Sequence, residues 1–265
     1  MIVDVNANLS RWPFRRTPCD QPHRLVESLC QQGVRQAWVG SLDGLFHRDV
    51  GGVNQRLTEI CADQHGIELL PFGTVNPNLP DWQDDLRRCV DDHQMPGIRL
   101  HPNYHGYRLD DPLAAELFDL AAQRRMIVQV VIRMDDIRVQ HPLMQIPDVD
   151  ARPLADLVAT RPGLHVLVLN ALATVRGNVL RRLAAERRIG FEIAMREGVG
   201  GVASLLGEVP WEQVFFGSHT PLYPVESARL KLHESGLGSP ERPAIEFGNA
   251  QRLLDGVVAA RNAGR

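Results

Sequence analysis

Short apolar runs recur along the chain at 2–8, 35–41, 68–75, 97–101, 126–132, 164–170, 189–195 and 213–218. Each is too short for a helix and is separated from the next by residues with helical spacing, the pattern of repeated βα units. Between them, Leu25, Val26, Leu29 and Cys30 form one helical stripe after Asp20, with Gly33 as its terminator. Val53, Leu57, Ile60 and Cys61 form another, ending near Gly66, and Asp150 is placed to cap a helix that stops at Arg161-Pro162-Gly163. The stretches 111–124 and 178–188, rich in alanine, leucine and arginine, read as helices as well. Eight strands alternating with helices predict an α/β protein, a (β/α)8 TIM barrel that spans 1–265 as one domain.

Length agrees, because 265 residues is close to the roughly 250 of such a barrel. There is no linker, low-complexity segment or charge block to mark a second domain. A net charge of −3 gives no electrostatic footprint for nucleic acid or for an anionic membrane. No apolar run approaches a membrane span, and no basic, apolar-cored leader opens the sequence. Cys19, Cys30, Cys61 and Cys89 are scattered without a C-x-x-C pair, which suits reduced thiols and points to the cytoplasm. The longest aperiodic stretch, 133–149, follows strand five and is open to being a lid, a subunit contact or a plain surface loop.

Alternation along each strand sorts residues into helix-facing and axis-facing sets. Val3, Val5 and Ala7 are expected to face the helices, and Asp4, Asn6 and Asn8 the axis. The same reasoning turns Arg99, His101, Gln129, Val131, Arg133, Asn170, Glu192, Arg196 and His219 inward. Buried charges are costly unless paired or ligand-bound. Some pairing is expected low in the barrel, of Asp4 or Glu192 with Arg99. His101, Arg133, Arg196 and His219 fall at the carboxyl ends of strands, where barrel enzymes place their chemistry.

Several stretches resemble the amidohydrolase-related family. These are Leu9-Ser10-Arg11-Trp12-Pro13-Phe14-Arg15 after strand one, Gly97-Ile98-Arg99-Leu100-His101-Pro102 on strand four, Phe216-Gly217-Ser218-His219-Thr220-Pro221 on strand eight, and Phe247-Gly248-Asn249-Ala250 before Leu253-Leu254. The resemblance covers essentially the whole chain and implies a barrel hydrolase, with decarboxylases and lactonases among its relatives. It also implies a divalent metal held by a first-strand His-x-His, by histidines on strands five and six, and by an aspartate on strand eight. This sequence departs at all five positions, with Asn6, Asn8, Val131, Asn170 and His219. Amide oxygens are poor partners for zinc, so no tightly bound metal or other cofactor is expected, although His101, His105 and His219 are donors that a zinc ion would seek.

Without a metal, hydrolysis needs a base and a positive group at the developing oxyanion. His219 is the first candidate base and His101 the second, with Asp4 or Glu192 to orient either ring. Arg99, Arg133 and Arg196 are suited to gripping a carboxylate, and Asn6, Asn8, Asn170 and Glu192 complete the expected substrate-binding set. The expectation is a metal-independent hydrolase of a small carboxylate-bearing ester, lactone or amide, an anionic small molecule being the only partner expected. The alternatives are an inactive barrel retained as a small-molecule sensor or protein partner, and a decarboxylase. A homodimer would rest on the loop after strand five and on Trp12-Pro13-Phe14.

Overall fold

The computed structural model describes residues 1–263. Among them eight strands run parallel in sequence order: β1 (Ile2–Leu9), β2 (Val34–Ser41), β3 (Glu68–Thr74), β4 (Gly97–Leu100), β5 (Ile127–Val131), β6 (His165–Leu169), β7 (Ile189–Glu192) and β8 (Val214–Phe215). The barrel closes where β1 meets the segment following β8. Val5 N donates to Phe216 O at 3.0 Å, His219 N to Asn6 O at 2.7 Å, and Asn8 N to Thr220 O at 2.8 Å. The chain is a single-domain (β/α)8 barrel, and no described helix is long and apolar enough to cross a membrane.

The helices follow their apolar stripes. Pro22–Gln31 begins with proline at its first turn, buries Leu25, Val26 and Leu29, and is followed by Gly33 at φ +81. In Val50–Ala62 the Asp49 carboxylate accepts from Gly52 N, and Val53, Leu57 and Cys61 turn inward. Asp150 behaves differently from expectation. Its carboxylate accepts from Arg152 N, while the helix Leu154–Ala159 starts later, after Pro153. The carboxylate is thus spent in the turn before the helix.

Two apolar layers flank the sheet. Ile2, Ala7 and Leu9 pack with the surrounding helices, against residues such as Leu25 and Leu29. Val3 and Val5 belong instead with Trp38, Phe72, Ile127, Leu167 and Phe215, the filling of the barrel. The parity expected for the first half of β1 is therefore reversed, because the register with β2 shifts between Asp4 and Ala7. Beyond the shift the expected parity returns, with Ala7 outward and Asn6 and Asn8 inward. Asp4 consequently sits in the β1–β8 seam and not on the axis. Its carboxylate accepts from Ser218 Oγ at 2.5 Å, Ser218 N at 3.1 Å and Asn6 N at 2.9 Å.

Arg99 holds this irregular strand in place. Its guanidinium is fully buried, and among the described residues it has no ion-pair partner. Nε donates to Gln129 Oε1 at 2.7 Å. Nη1 donates to Ala7 O at 2.7 Å and Asn8 Oδ1 at 2.8 Å, and Nη2 to Trp38 O at 3.1 Å and Val5 O at 3.5 Å. One side chain on β4 thus ties β1, β2 and β5 together. Gly40 permits it, since a Cβ there would lie 2.8 Å from Arg99 Cδ. Burial draws the guanidinium down to about 9, against the pull of Asp4 and Glu192, and it stays charged at neutral pH.

Replacing Arg99 by methionine strands five acceptors in a dry interior. Arg99→Met is expected to cost more than about 4 kcal/mol in denaturant unfolding. A loss below about 1 kcal/mol would show that the guanidinium does not organise the barrel.

Candidate active site

At the carboxyl ends of β1, β6 and β8 the inward residues form a closed network of neutral groups. Asn6 Nδ2 donates to Asn170 Oδ1 at 2.8 Å, and Asn170 Nδ2 donates to Arg133 O at 2.8 Å. His219 Nε2 lies 2.7 Å from Met134 O, which makes it the protonated ring nitrogen. Nδ1 is then the acceptor, facing Asn170 Nδ2 at 3.2 Å and Asn8 Nδ2 at 3.5 Å. Burial lowers His219 to about 4, so the ring is neutral at physiological pH. The ring also meets Tyr223 edge-on, with centroids 5.5 Å apart.

Two residues of this network hold left-handed backbone, Asn170 at φ +55 and His219 at φ +58. Asparagine tolerates that region, whereas a histidine there is uncommon and is held by its surroundings. Glu192 supplies part of the hold. Oε1 accepts from Asn170 N at 2.6 Å and Oε2 from Ala194 N at 2.5 Å. Gly217 leaves room for this carboxyl, as a Cβ there would fall 2.6 Å from Oε2. Glu192 is thus a positioning residue beneath Asn170, and burial raises it to about 7.

A second cluster lies at the ends of β3 and β4. His101 is buried, yet neither ring nitrogen has a hydrogen-bond partner. Its ring centroid is 5.9 Å from that of His105, which stands 6.5 Å from Tyr107. His105 Nε2 is 3.0 Å from Gly44 O, leaving His105 Nδ1 unpartnered together with Thr74 Oγ1 and Tyr107 Oη. Thr74 touches the same glycine, for a Cβ on Gly44 would meet its Oγ1 at 2.3 Å. Burial, then the neighbouring His105, Arg99 and His219, keep His101 well below the ordinary imidazole value.

The remaining predicted residues stand apart. Every N–H of Arg99 is committed within the barrel wall, so none is left to contact a ligand. Arg133 is half-buried at the rim, with Nε on Asp148 Oδ1 at 2.9 Å and Nη1 3.7 Å from Asp136. Arg196 lies past the end of β7, its Nε donating to Gly201 O at 2.8 Å. The aperiodic stretch after β5 folds over the mouth. Asn103 Nδ2 donates to Pro147 O at 2.8 Å, Arg15 pairs with Asp135, and Met134 packs with the cluster holding Trp12 and Leu222. The Met134 carbonyl on His219 left no trace in the sequence, being backbone. Thr74 escaped for another reason, since a threonine at a strand end is ordinary.

Glu192 makes stability depend on pH. Its folded value near 7 lies above the usual 4.5, so its stabilising contribution is complete below pH 4.5 and lost as pH rises through 7. Wild-type stability is expected to fall over that interval by up to about 3 kcal/mol from this group, and Glu192→Gln to remove that part of the slope. Parallel stability–pH curves for the two proteins would contradict the assignment.

The sequence profile of the amidohydrolase family matches residues 17–256. No curated protein matches the chain. Among solved structures, the chain is similar to 2,6-dihydroxybenzoate decarboxylase from Rhizobium, 12% identical over 96% of this chain and 98% of that one, with a TM-score of 0.71. It is similar to IDCase from Metarhizium anisopliae in apo form, at 13% identity, 97% of each chain and a TM-score of 0.73. A third is 5-carboxyvanillate decarboxylase from Sphingomonas paucimobilis, at 12% identity, 96% of this chain, 98% of that one and a TM-score of 0.71. At such identities the likeness to these structures is one of fold.

Proposed function

The chain belongs to the amidohydrolase family, and from that membership we propose that it cleaves a bond in a small carboxylate-bearing compound by imidazole chemistry, without a tightly held metal. The observation that carries this reading is His101, whose buried ring has both nitrogens free. An unsatisfied buried polar group in a folded protein calls for an explanation, and a reacting ligand is one that fits a ring at the carboxyl end of a barrel strand. His219, the first candidate base from the sequence, is fully hydrogen-bonded and is better read as a fixed wall of the site.

The donor set does not fit a catalytic zinc, which takes three protein ligands. Asn6, Asn8 and Asn170 turn their amides to one another, to Arg99 and to His219, and both nitrogens of His219 are engaged. Among the described residues no group of three or more His, Cys, Asp or Glu side chains is placed to hold a metal ion.

For hydrolysis, neutral His101 takes a proton from water as it attacks the acyl carbon, and returns it to the leaving oxygen or nitrogen. The positive field of Arg99 favours the oxyanion, and Arg133 at the rim is the nearest guanidinium for a substrate carboxylate. Decarboxylation is the second reading. It consumes no water: His101 takes the proton of the entering carboxylic acid, and its imidazolium delivers that proton to the carbon as the bond to carbon dioxide breaks. Two of the similar solved structures, 2,6-dihydroxybenzoate decarboxylase and 5-carboxyvanillate decarboxylase, are decarboxylases of aromatic acids, which supports that reading.

Carboxylated lactones, carboxylate esters and aromatic acids, screened in EDTA, are expected to reveal turnover. His101→Asn should lower kcat/KM by about 10²–10⁴-fold while leaving Tm nearly unchanged, since no protein hydrogen bond is lost. The acid limb of kcat/KM should lie below pH 6.5, because the ring must be neutral to accept a proton and burial lowers its value. Turnover that requires added zinc or manganese, or that survives His101→Asn, would overturn the proposal. Ligand-induced stabilisation with no product would favour the sensor.

A further inference from the structure

We propose that the opposite, amino-terminal pole of the barrel carries a second binding site, for a small oxyanion with an apolar body. The closing helix Asn249–Asn262 lies across this pole, and between it and the starts of β6, β7 and β8 is a cavity of about 550 Å³. That volume is in the range of small-molecule sites, about 300–1,000 Å³. His165 opens β6, Ile189 opens β7 and Gln213 precedes β8, so the cavity lies at the far end of the strands from His101 and His219.

Its lining has a definite sign. Arg187, Arg188, Arg252 and His165 face a single lining carboxylate, Glu212. Arg188 is partly neutralised, 3.1 Å from Glu186 and donating to Arg161 O at 2.6 Å. Among the described residues Arg187 and Arg252 have no carboxylate partner. The apolar part of the lining is Leu167, Phe215 and Leu253, which provides a body-binding wall next to the cations. A guanidinium pair beside such a wall suits an oxyanion such as a carboxylate or a phosphate monoester.

Gln213 fixes the floor of this cavity. The residue is 4% exposed, and Nε2 donates to the carbonyls of Glu186 at 3.0 Å and Ile189 at 2.7 Å. Those two bonds fix the amide orientation and enclose Oε1 among protein atoms. The ligand is therefore read by the guanidiniums and the apolar wall. The cavity also owes its room to a glycine in the middle of a helix. A Cβ on Gly256 would meet no atom within 4 Å, and glycine costs helix stability of up to about 1 kcal/mol relative to alanine. A second cavity of about 390 Å³ shares His165 and Gly256 and adds Arg125, so the site continues along the helix.

The test is calorimetric titration of the intact protein with phenyl phosphate and with 4-hydroxybenzoate, with 4-hydroxybenzyl alcohol as the uncharged control. One oxyanion or both should bind at a saturable site at this pole, counted apart from any binding at the mouth, the stronger of the two identifying phosphate or carboxylate as the preferred group. Binding should weaken by about tenfold or more in Arg187→Gln/Arg252→Gln, as expected for lost charge-assisted hydrogen bonds. Gly256→Leu, which fills the cavity from a helix position that favours leucine, should abolish binding without lowering Tm. His101→Asn should leave it unchanged, which separates this site from the mouth. Absence of saturable binding at millimolar oxyanion, or binding that survives both the double variant and Gly256→Leu, would overturn the proposal.

Discussion

A single buried guanidinium sets the geometry of this barrel. Arg99 lies in the interior without a carboxylate in contact, and its positive charge is met by three backbone carbonyls and two amide oxygens. Such an arrangement tolerates little movement, because each acceptor loses its donor if the ring of contacts opens. Two of the carbonyls, Val5 and Ala7, flank the register shift of β1, the place where the strand exchanges its faces. Without that exchange Asn6 and Asn8 would sit among the helices. The seam bonds of Asp4 to Ser218 secure the same stretch from the other side, so the strand that carries the amides is held across its full width.

The chemistry of the mouth follows from this. The interior contains one obligatory cation, a carboxyl near neutrality in Glu192, and imidazoles that burial keeps uncharged. His219 is clamped between a carbonyl and two amides in a left-handed backbone conformation, while neither ring nitrogen of His101, one residue beyond β4, is hydrogen-bonded to another described residue. The two histidines that the sequence offers as bases, His219 ahead of His101, therefore have opposite freedom. In the reaction we propose, proton transfer falls to the free ring, while the clamped one is tied to the stretch after β5 through the Met134 carbonyl.

The barrel itself was legible because every strand is a short apolar run punctuated by turn residues, and these survive any change in the site. Inward parity was legible for Arg99, His101, Gln129, Glu192 and the second half of β1. It failed at Val3, Asp4 and Val5 because a register shift leaves no mark in a hydrophobic pattern. The network around His219 was only half legible: the inward amides of β1 and β6 marked its members, but its closing bond comes from the carbonyl of Met134, and backbone groups have no sequence signature. Arg99 was expected to grip a ligand. That expectation weighed charge alone, and could not count the carbonyls that a strand irregularity turns toward the axis.

A neutral imidazole–amide network lies at the carboxyl ends of β1, β6 and β8, and we propose that it stands where the family resemblance implies a cation. Nitrogen-15 NMR of the histidine rings, recorded with and without equimolar zinc, tests it most directly. The His219 ring should be neutral, protonated at Nε2 and unchanged by the metal from neutral pH down to about 5. A His219 ring that loses its Nε2 proton or shifts on zinc addition, or that titrates near pH 6.5, would contradict it.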